Sequence, residues 1–315
     1  MSKWRLQNLP SPTGANLQVH SIAPNGAARA IIQINHGMAE HSARYRRFAQ
    51  FLASRGYWVC AHDHRGHGKT TATDAPQGVF AAQNGMARVL DDVTAVISHA
   101  RTACPHTPLV VFGHSMGTII ALHHAWENPN AAQALALWNT SFDTPPMMSV
   151  MVGILKLEKM LKGSDVPSAI ANKVTFDAWN KEFSPNRTPF DWLSRDEAEV
   201  DAYVNDPLCG FPVAIGTWLE VLGSIRQSAN DKNLARLPKS LPVSIVAGGR
   251  DPSSLKGAAM LRLAARLQAS GLTDVSAKVY PDTRHEGLNE TNRDTIMADF
   301  ADWLDVRFAP RQTNR

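Results

Sequence analysis

Cysteine is scarce. Cys60, Cys104 and Cys209 are the only three in 315 residues, an odd number placed far apart and without metal-ligand spacing, which argues against a disulfide framework and a cysteine-based metal site. They read as reduced thiols, with Cys60 a small core residue in a strand. No apolar run of signal-peptide length follows Met1-Ser2-Lys3-Trp4-Arg5-Leu6-Gln7, and no segment approaches a membrane span. A cytoplasmic protein is the expectation. Basic clustering is missing too: 32 Lys and Arg against 28 Asp and Glu give a net charge of +4, spread along the chain, so no nucleic-acid partner is indicated. There is no internal repeat, and nothing in the sequence marks an oligomeric state.

What is present is ordinary globular composition, 44% hydrophobic and 19% charged, in a chain long enough for one large α/β domain with an insertion. Its organising stretch is Val110-Val111-Phe112-Gly113-His114-Ser115-Met116-Gly117-Thr118-Ile119-Ile120. A β-branched apolar run enters Gly-His-Ser-Met-Gly and leaves into a helical segment, the strand, elbow and helix context that G-x-S-x-G requires. Gly113 and Gly117 are expected where a sharp turn leaves no room for a Cβ, and Ser115 at strained backbone angles. The bland alternative is a glycine-rich loop with a helix-capping serine.

Around this elbow, strand and helix patterns alternate. Residues 3–9 and 15–22 read as an edge hairpin. Strands are expected at 30–35, 57–62, 108–112, 134–139, 242–247 and 275–280, and helices at 84–101, 118–126, 255–269 and 291–308. That alternation predicts an α/β fold, a mostly parallel sheet covered by helices on both faces. From 141 to 237 it lapses into a proline-punctuated, methionine-rich stretch, read as an inserted helical cap, so the core comprises 1–140 and 238–315. Only the tail 310–315 is expected to be disordered. The histidines of His62-Asp63-His64-Arg65-Gly66-His67-Gly68 suggest a metal, but a turn with two glycines converges ligands poorly. The preferred reading is a structural loop pinned by Asp63 and Arg65.

A serine hydroxyl needs a base to take its proton and an acid to orient that base, in the chain order Ser, Asp or Glu, His for this elbow type. Downstream, Asp251 follows the strand ending in Val246-Ala247-Gly248-Gly249-Arg250, and His285 lies in the loop after the last strand, Pro281-Asp282-Thr283-Arg284-His285-Glu286. Both sit at the carboxyl edge of the sheet with Ser115, where sites in such sheets are built. Asp143 is a weaker substitute acid at the entrance to the cap. Oxyanion donors are expected from the backbone N–H groups of Met116 and Met38.

These residues, with His36-Gly37-Met38-Ala39-Glu40-His41-Ser42-Ala43-Arg44-Tyr45 and Asp63-His64-Arg65-Gly66-His67-Gly68, give a chain that resembles the monoacylglycerol lipase and lysophospholipase group of α/β-hydrolases, the serine aminopeptidase-like hydrolases, over nearly its whole length. The segment from Phe183 to Asp196 is similar to bacterial members. The resemblance implies nucleophile Ser115, acid Asp251, base His285, oxyanion donors Met38 and Met116, a small acyl ester as substrate, and no metal or organic cofactor. Thr118 and Met38 depart from the eukaryotic pattern and bear on the shape of the acyl pocket.

In the cap, Met147, Met148, Met151, Ile154, Leu155, Met160 and Leu161 keep helical spacing. The stripe is read either as a pliable wall for the acyl group, with Trp179 and Trp218 among its neighbours, or as a face packed on the core. Weak peripheral contact with a lipid surface through Lys156, Lys159 and Lys162 is a further reading. Two rival functions stand. One is an aminopeptidase on the same triad, with Asp177, Glu182, Asp191 or Asp196 holding a free amino terminus; the other is a non-catalytic binding module.

Overall fold

A parallel sheet buried on both faces needs largely apolar strands, and the chain supplies them as β3 (Ile31–Asn35), β4 (Trp58–His62), β5 (Leu109–His114), β6 (Ala134–Trp138) and β7 (Val243–Gly248), every residue of which is buried. In the computed structural model, which describes residues 3–309, they join β1 (Arg5–Pro10), β2 (Asn16–Ile22) and β8 (Val275–Tyr280) in one sheet of order β1-β2-β4-β3-β5-β6-β7-β8. The first two strands form the expected antiparallel edge hairpin, β2 runs antiparallel to β4, and the remaining neighbours are parallel. The tail 310–315 lies outside the described residues.

The helices, in chain order, are α1 (Arg46–Ser54), α2 (Gly85–Ala103), α3 (Met116–Glu127), α4 (Pro146–Lys162), α5 (Ala169–Asn172), α6 (Ala178–Lys181), α7 (Glu197–Asn205), α8 (Ile215–Ser228), α9 (Asp231–Leu234), α10 (Ala258–Ala269) and α11 (Arg293–Arg307). One sheet face packs α2, α3 and α10 through Val89, Val93, Ile120 and Leu263. The other packs α1 and α11, where Phe48, Phe112, Trp138 and Phe300 form an aromatic cluster with Phe112 and Trp138 ring centroids 4.9 Å apart. Burying each such side chain contributes about 1.5–3 kcal/mol.

The stretch from 141 to 237 is mostly helical, with α4 to α9 and no strand of the sheet. Helix α8 serves two layers: Ile215 and Trp218 pack with Leu155 and Phe211 in the cap, whereas Val221 and Ile225 join the main core with Leu234 and Leu237. The change of composition at 141 marks where the chain leaves the sheet. Its return is gradual because α8 lies directly on α3.

Candidate active site

Strand β5 runs into Ser115, whose φ of 55° and ψ of −119° are costly for a residue with a side chain. Two close approaches hold it there. A Cβ on Gly113 would stand 2.3 Å from the Gly117 carbonyl oxygen, and one on Gly117 would stand 2.0 Å from that of Asn35, so neither position accepts a larger residue. Thr118 ties the turn together: its hydroxyl lies 2.7 and 2.6 Å from the Gly113 and Trp138 carbonyls, which share its one proton, and it accepts from the Trp138 N–H at 2.9 Å. Far from disturbing the elbow, this departure from the eukaryotic pattern locks it.

Two loops bring the expected partners to the same edge. Asp251 leaves β7, and His285 Nδ1 lies 3.0 Å from its Oδ1 with both side chains almost wholly buried. Burial alone would raise the Asp251 carboxyl, but the facing His285 and serine hydroxyls outweigh it and hold it below the usual carboxylate range. The carbonyl of His285 accepts from Asn139 Nδ2 at 2.5 Å and from His114 Nε2 at 3.1 Å, which fixes the backbone from which the imidazole projects. Ser115 and His285 line one small cavity together with Gly37, Met38 and Trp192. With Nδ1 turned to Asp251, Nε2 is the nitrogen left for the serine. Neither the Met38 nor the Met116 N–H donates to a protein acceptor among the described residues, as donors reserved for an oxyanion would require. Asp143, the substitute acid, pairs instead with Arg262, whose Nε donates to it at 3.1 Å.

A charged frame lies behind the elbow that sequence reading did not identify. Glu40 Oε1 accepts from the Gly37 N–H at 2.6 Å and the Tyr45 hydroxyl at 2.8 Å, and Arg44 joins Glu40 at 2.7 Å to Glu286 at 2.6 and 2.7 Å. His114 Nδ1 faces Glu40 Oε1 at 3.5 Å, an ion-pair distance rather than a full hydrogen bond. Burial disfavours both charges, yet the facing Glu40 carboxylate raises His114, and His114 with Arg44 keeps Glu40 well below the carboxylate range. The frame ties the Met38 loop to the residue after His285. The four-residue separation of Glu40 and Arg44 is the one local signal the sequence held for this frame, and nothing local could show that Glu286 joins them.

The cap contributes more than a cover. The Glu286 N–H donates to the Leu193 carbonyl at 2.8 Å, and the Trp192 ring sits 4.6 Å from the His285 ring. Cap backbone therefore helps to place the loop that carries His285. Ser253, also unflagged in the sequence, puts its hydroxyl 2.9 Å from His285 Nδ1 and 2.8 Å from Asp251 Oδ1.

A second cavity, of about 170 Å³, opens on the other side of Ser115 and is walled by Met116, Ile119, Met148, Phe176, Trp179, Trp218 and Leu222. Trp179 and Trp218 are thus where the sequence placed them. The α4 stripe is not: Met147 is 68% and Ile154 38% exposed on the outer face, with Met160 and Leu161 beside them. Leu155 is buried inside the cap, and the half-buried Met151 packs against that cluster without reaching the cavity. The register of α4 turns Met148 alone of the expected methionines toward the site, because Leu155 and the Glu158 carboxylate, bonded to Ser168 at 2.6 Å, set its inward face.

The carboxylates proposed to hold an amino terminus are engaged elsewhere or point away. Asp191 caps the Arg187–Thr188 turn, Asp196 caps α7 and pairs with Arg293 at 2.7 Å, Asp177 and Glu182 are exposed, and none lines either cavity. In the histidine-rich loop, Asp63 accepts from the Ser42 and Lys69 N–H groups at 2.9 and 2.8 Å, and the buried Arg65 reaches Asp74 at 2.5 Å and the Phe80 carbonyl at 2.7 Å. Both pin the loop as expected.

Comparisons agree with this geometry. A family model described as serine aminopeptidase, S33, matches residues 26–292. A monoacylglycerol lipase of Mycolicibacterium smegmatis is 29% identical over 286 residues, covering 89% of this chain and 90% of that protein. The monoglyceride lipase of Rattus norvegicus is 26% identical over 308 residues, 96% and 91% of the two chains. Among solved structures, a thermostable carboxyl esterase from Bacillus coagulans in complex with glycerol aligns with a TM-score of 0.86 at 26% identity, covering 97% of this chain and 99% of that one. A match that runs from the first buried strand past His285 shows that the chain belongs to the serine aminopeptidase, S33, family of α/β-hydrolases.

Proposed function

We propose that the chain is a carboxylic ester hydrolase acting on monoacylglycerols or similar small acyl esters through an acyl-serine intermediate. The observation that carries the reading is Ser115, held at φ 55° on the wall shared by both cavities, with His285 beside it and Asp251 bonded to Nδ1. Ser115 Oγ attacks the ester carbonyl as His285 Nε2 takes its proton. The oxyanion rests on the Met38 and Met116 N–H groups, and His285 then protonates the departing alcohol. Water repeats the path and frees the acid. Asp251 keeps Nδ1 protonated and stabilises the imidazolium.

The apolar 170 Å³ cavity suits the acyl chain, with Met148, Trp179 and Trp218 as its cap-side wall. On the outer face of α4, Met147, Val150, Leu157, Met160 and Leu161 are more than half exposed beside Lys156, Lys159 and Lys162. That supports weak peripheral contact with a lipid surface; among the described residues no helix is long and apolar enough to cross a membrane. Three free thiols fit a cytoplasmic setting.

The test compares p-nitrophenyl and glyceryl esters of graded chain length with aminoacyl anilides. Ester turnover that vanishes in Ser115→Ala is expected. Preference for anilides would overturn the ester reading, and persistent turnover or fluorophosphonate labelling in Ser115→Ala would overturn the nucleophile.

A further inference from the structure

Asp251 opens a short 3-10 turn, and its side chain accepts the Ser253 N–H at 3.0 Å. This capping bond is made by backbone and needs no side chain at position 253. The next residue, Ser254, carries the structural duties of the turn: it is fully buried, donates to the Asp251 carbonyl at 3.3 Å and accepts from the Gly257 N–H at 3.2 Å. The Ser253 hydroxyl does neither. It lies 2.8 and 3.0 Å from the two Asp251 carboxylate oxygens and 2.9 Å from His285 Nδ1, and it lines the larger cavity beside Ser115.

A hydroxyl has one proton and two lone pairs. Asp251 is the stronger acceptor, so the Ser253 proton goes to the carboxylate, which leaves an Oγ lone pair aimed at Nδ1. That lone pair is placed to accept from an N–H on Nδ1, which it shares with Asp251 Oδ1. We propose that Ser253 is a positioning residue for the Asp251–His285 pair, a third group in a closed set of hydrogen bonds that fixes the imidazole with its proton on Nδ1 and Nε2 free toward Ser115. The proposal rests on the reading of Ser115, Asp251 and His285 as the triad.

Several charged or titratable groups face His285 besides Asp251. His114 of the elbow lies 4.8 Å away between ring centroids, and Glu40, Arg44 and Glu286 stand behind it; from the cap, the facing ring is Trp192, which does not titrate. All are untouched by a change at Ser253, so a loss confined to kcat in a Ser253 variant reports the hydroxyl.

The experiment measures kcat and KM on a soluble p-nitrophenyl ester for the native chain, Ser253→Ala and Ser253→Thr, with Ser115→Ala as reference. In Ser253→Ala, kcat is expected to fall about 3- to 10-fold with KM within about twofold, well short of the full loss on removing a triad member. Ser253→Thr, which keeps the hydroxyl, should restore kcat. Native kcat in Ser253→Ala, or equal loss in the Ala and Thr variants, would overturn the proposal while leaving the triad standing. Full activity in Ser115→Ala would instead bring down the triad reading beneath it.

Discussion

The core and the cap of this molecule are built by different rules. In the core, each strand end delivers one group to one edge: β3 the Met38 loop, β5 Ser115, β7 Asp251 and β8 His285. Their positions are set by backbone ladders and by contacts as close as Gly117 against Asn35, which tolerate no extra atom. The cap is a string of short helices with a five-residue π-helical turn at Lys173–Asp177, and its inward side chains, Met148, Phe176, Trp179 and Trp218, are held by packing alone. Core changes should therefore abolish chemistry or folding outright, whereas cap changes should grade the choice of substrate.

The largest effect expected is that of Ser115→Ala, a fall of at least about 10⁴ in kcat with melting temperature nearly unchanged, checked by ester hydrolysis and thermal unfolding. Retained activity would break the comparison at its root. Next is Gly117→Ala, which sets a Cβ 2.0 Å from the Asn35 oxygen. A loss of about 4 kcal/mol or more, read from urea unfolding, is expected.

Acid should also strike the core first. Burial holds His62 and His67 at about 3 and His64 well below the usual histidine value, so all three are neutral when folded at neutral pH and become basic only on unfolding. Between pH 6.5 and about 3 the unfolded chain binds the extra protons. Stability present above pH 6.5 is thus lost as pH falls, at up to about 1.4 kcal/mol per pH unit for each histidine. Unfolding midpoints measured from pH 7 to 4 test this, and a flat profile would contradict it.

Cap substitutions come lower on the scale. Trp218→Ala should change the ratio of kcat/KM for long against short acyl esters by about 10-fold, since it unwalls one side of the cavity. Smallest of all, Met160→Ser with Leu161→Ser should leave kcat/KM on a soluble ester within about twofold while reducing co-sedimentation with lipid vesicles. A large loss on the soluble ester would mean that the outer face of α4 is coupled to the site after all.

How far each region could be read from sequence follows from the same difference. The elbow, the carboxyl-end positions of Asp251 and His285 and the order of strands follow from local patterns: apolar runs of strand length, glycines at the turn and helical periodicity between them. The α4 stripe misled because methionine and leucine at helical spacing signal an apolar face without saying which neighbour it meets. Glu158, bonded to Ser168, turns the helix so that Met147, Ile154, Met160 and Leu161 face outward. Helix α8 shows the same ambiguity: it is apolar on two sides, one packed with Leu155 and Phe211 and one with the main core.

The sequence by itself determined the α/β class, the serine elbow and the identity and order of its two partners, because those depend on residue type at fixed short spacings along the chain. Only the tertiary structure decided which side chains wall the larger cavity beside Ser115, that Asp143 is spent on Arg262, that Glu40, Arg44 and Glu286 brace the Met38 loop, and that Ser253 joins Asp251 at Nδ1. Each of these is a meeting of segments distant along the chain. Register between packed elements fixes such meetings to within an ångström, and no local spacing encodes them.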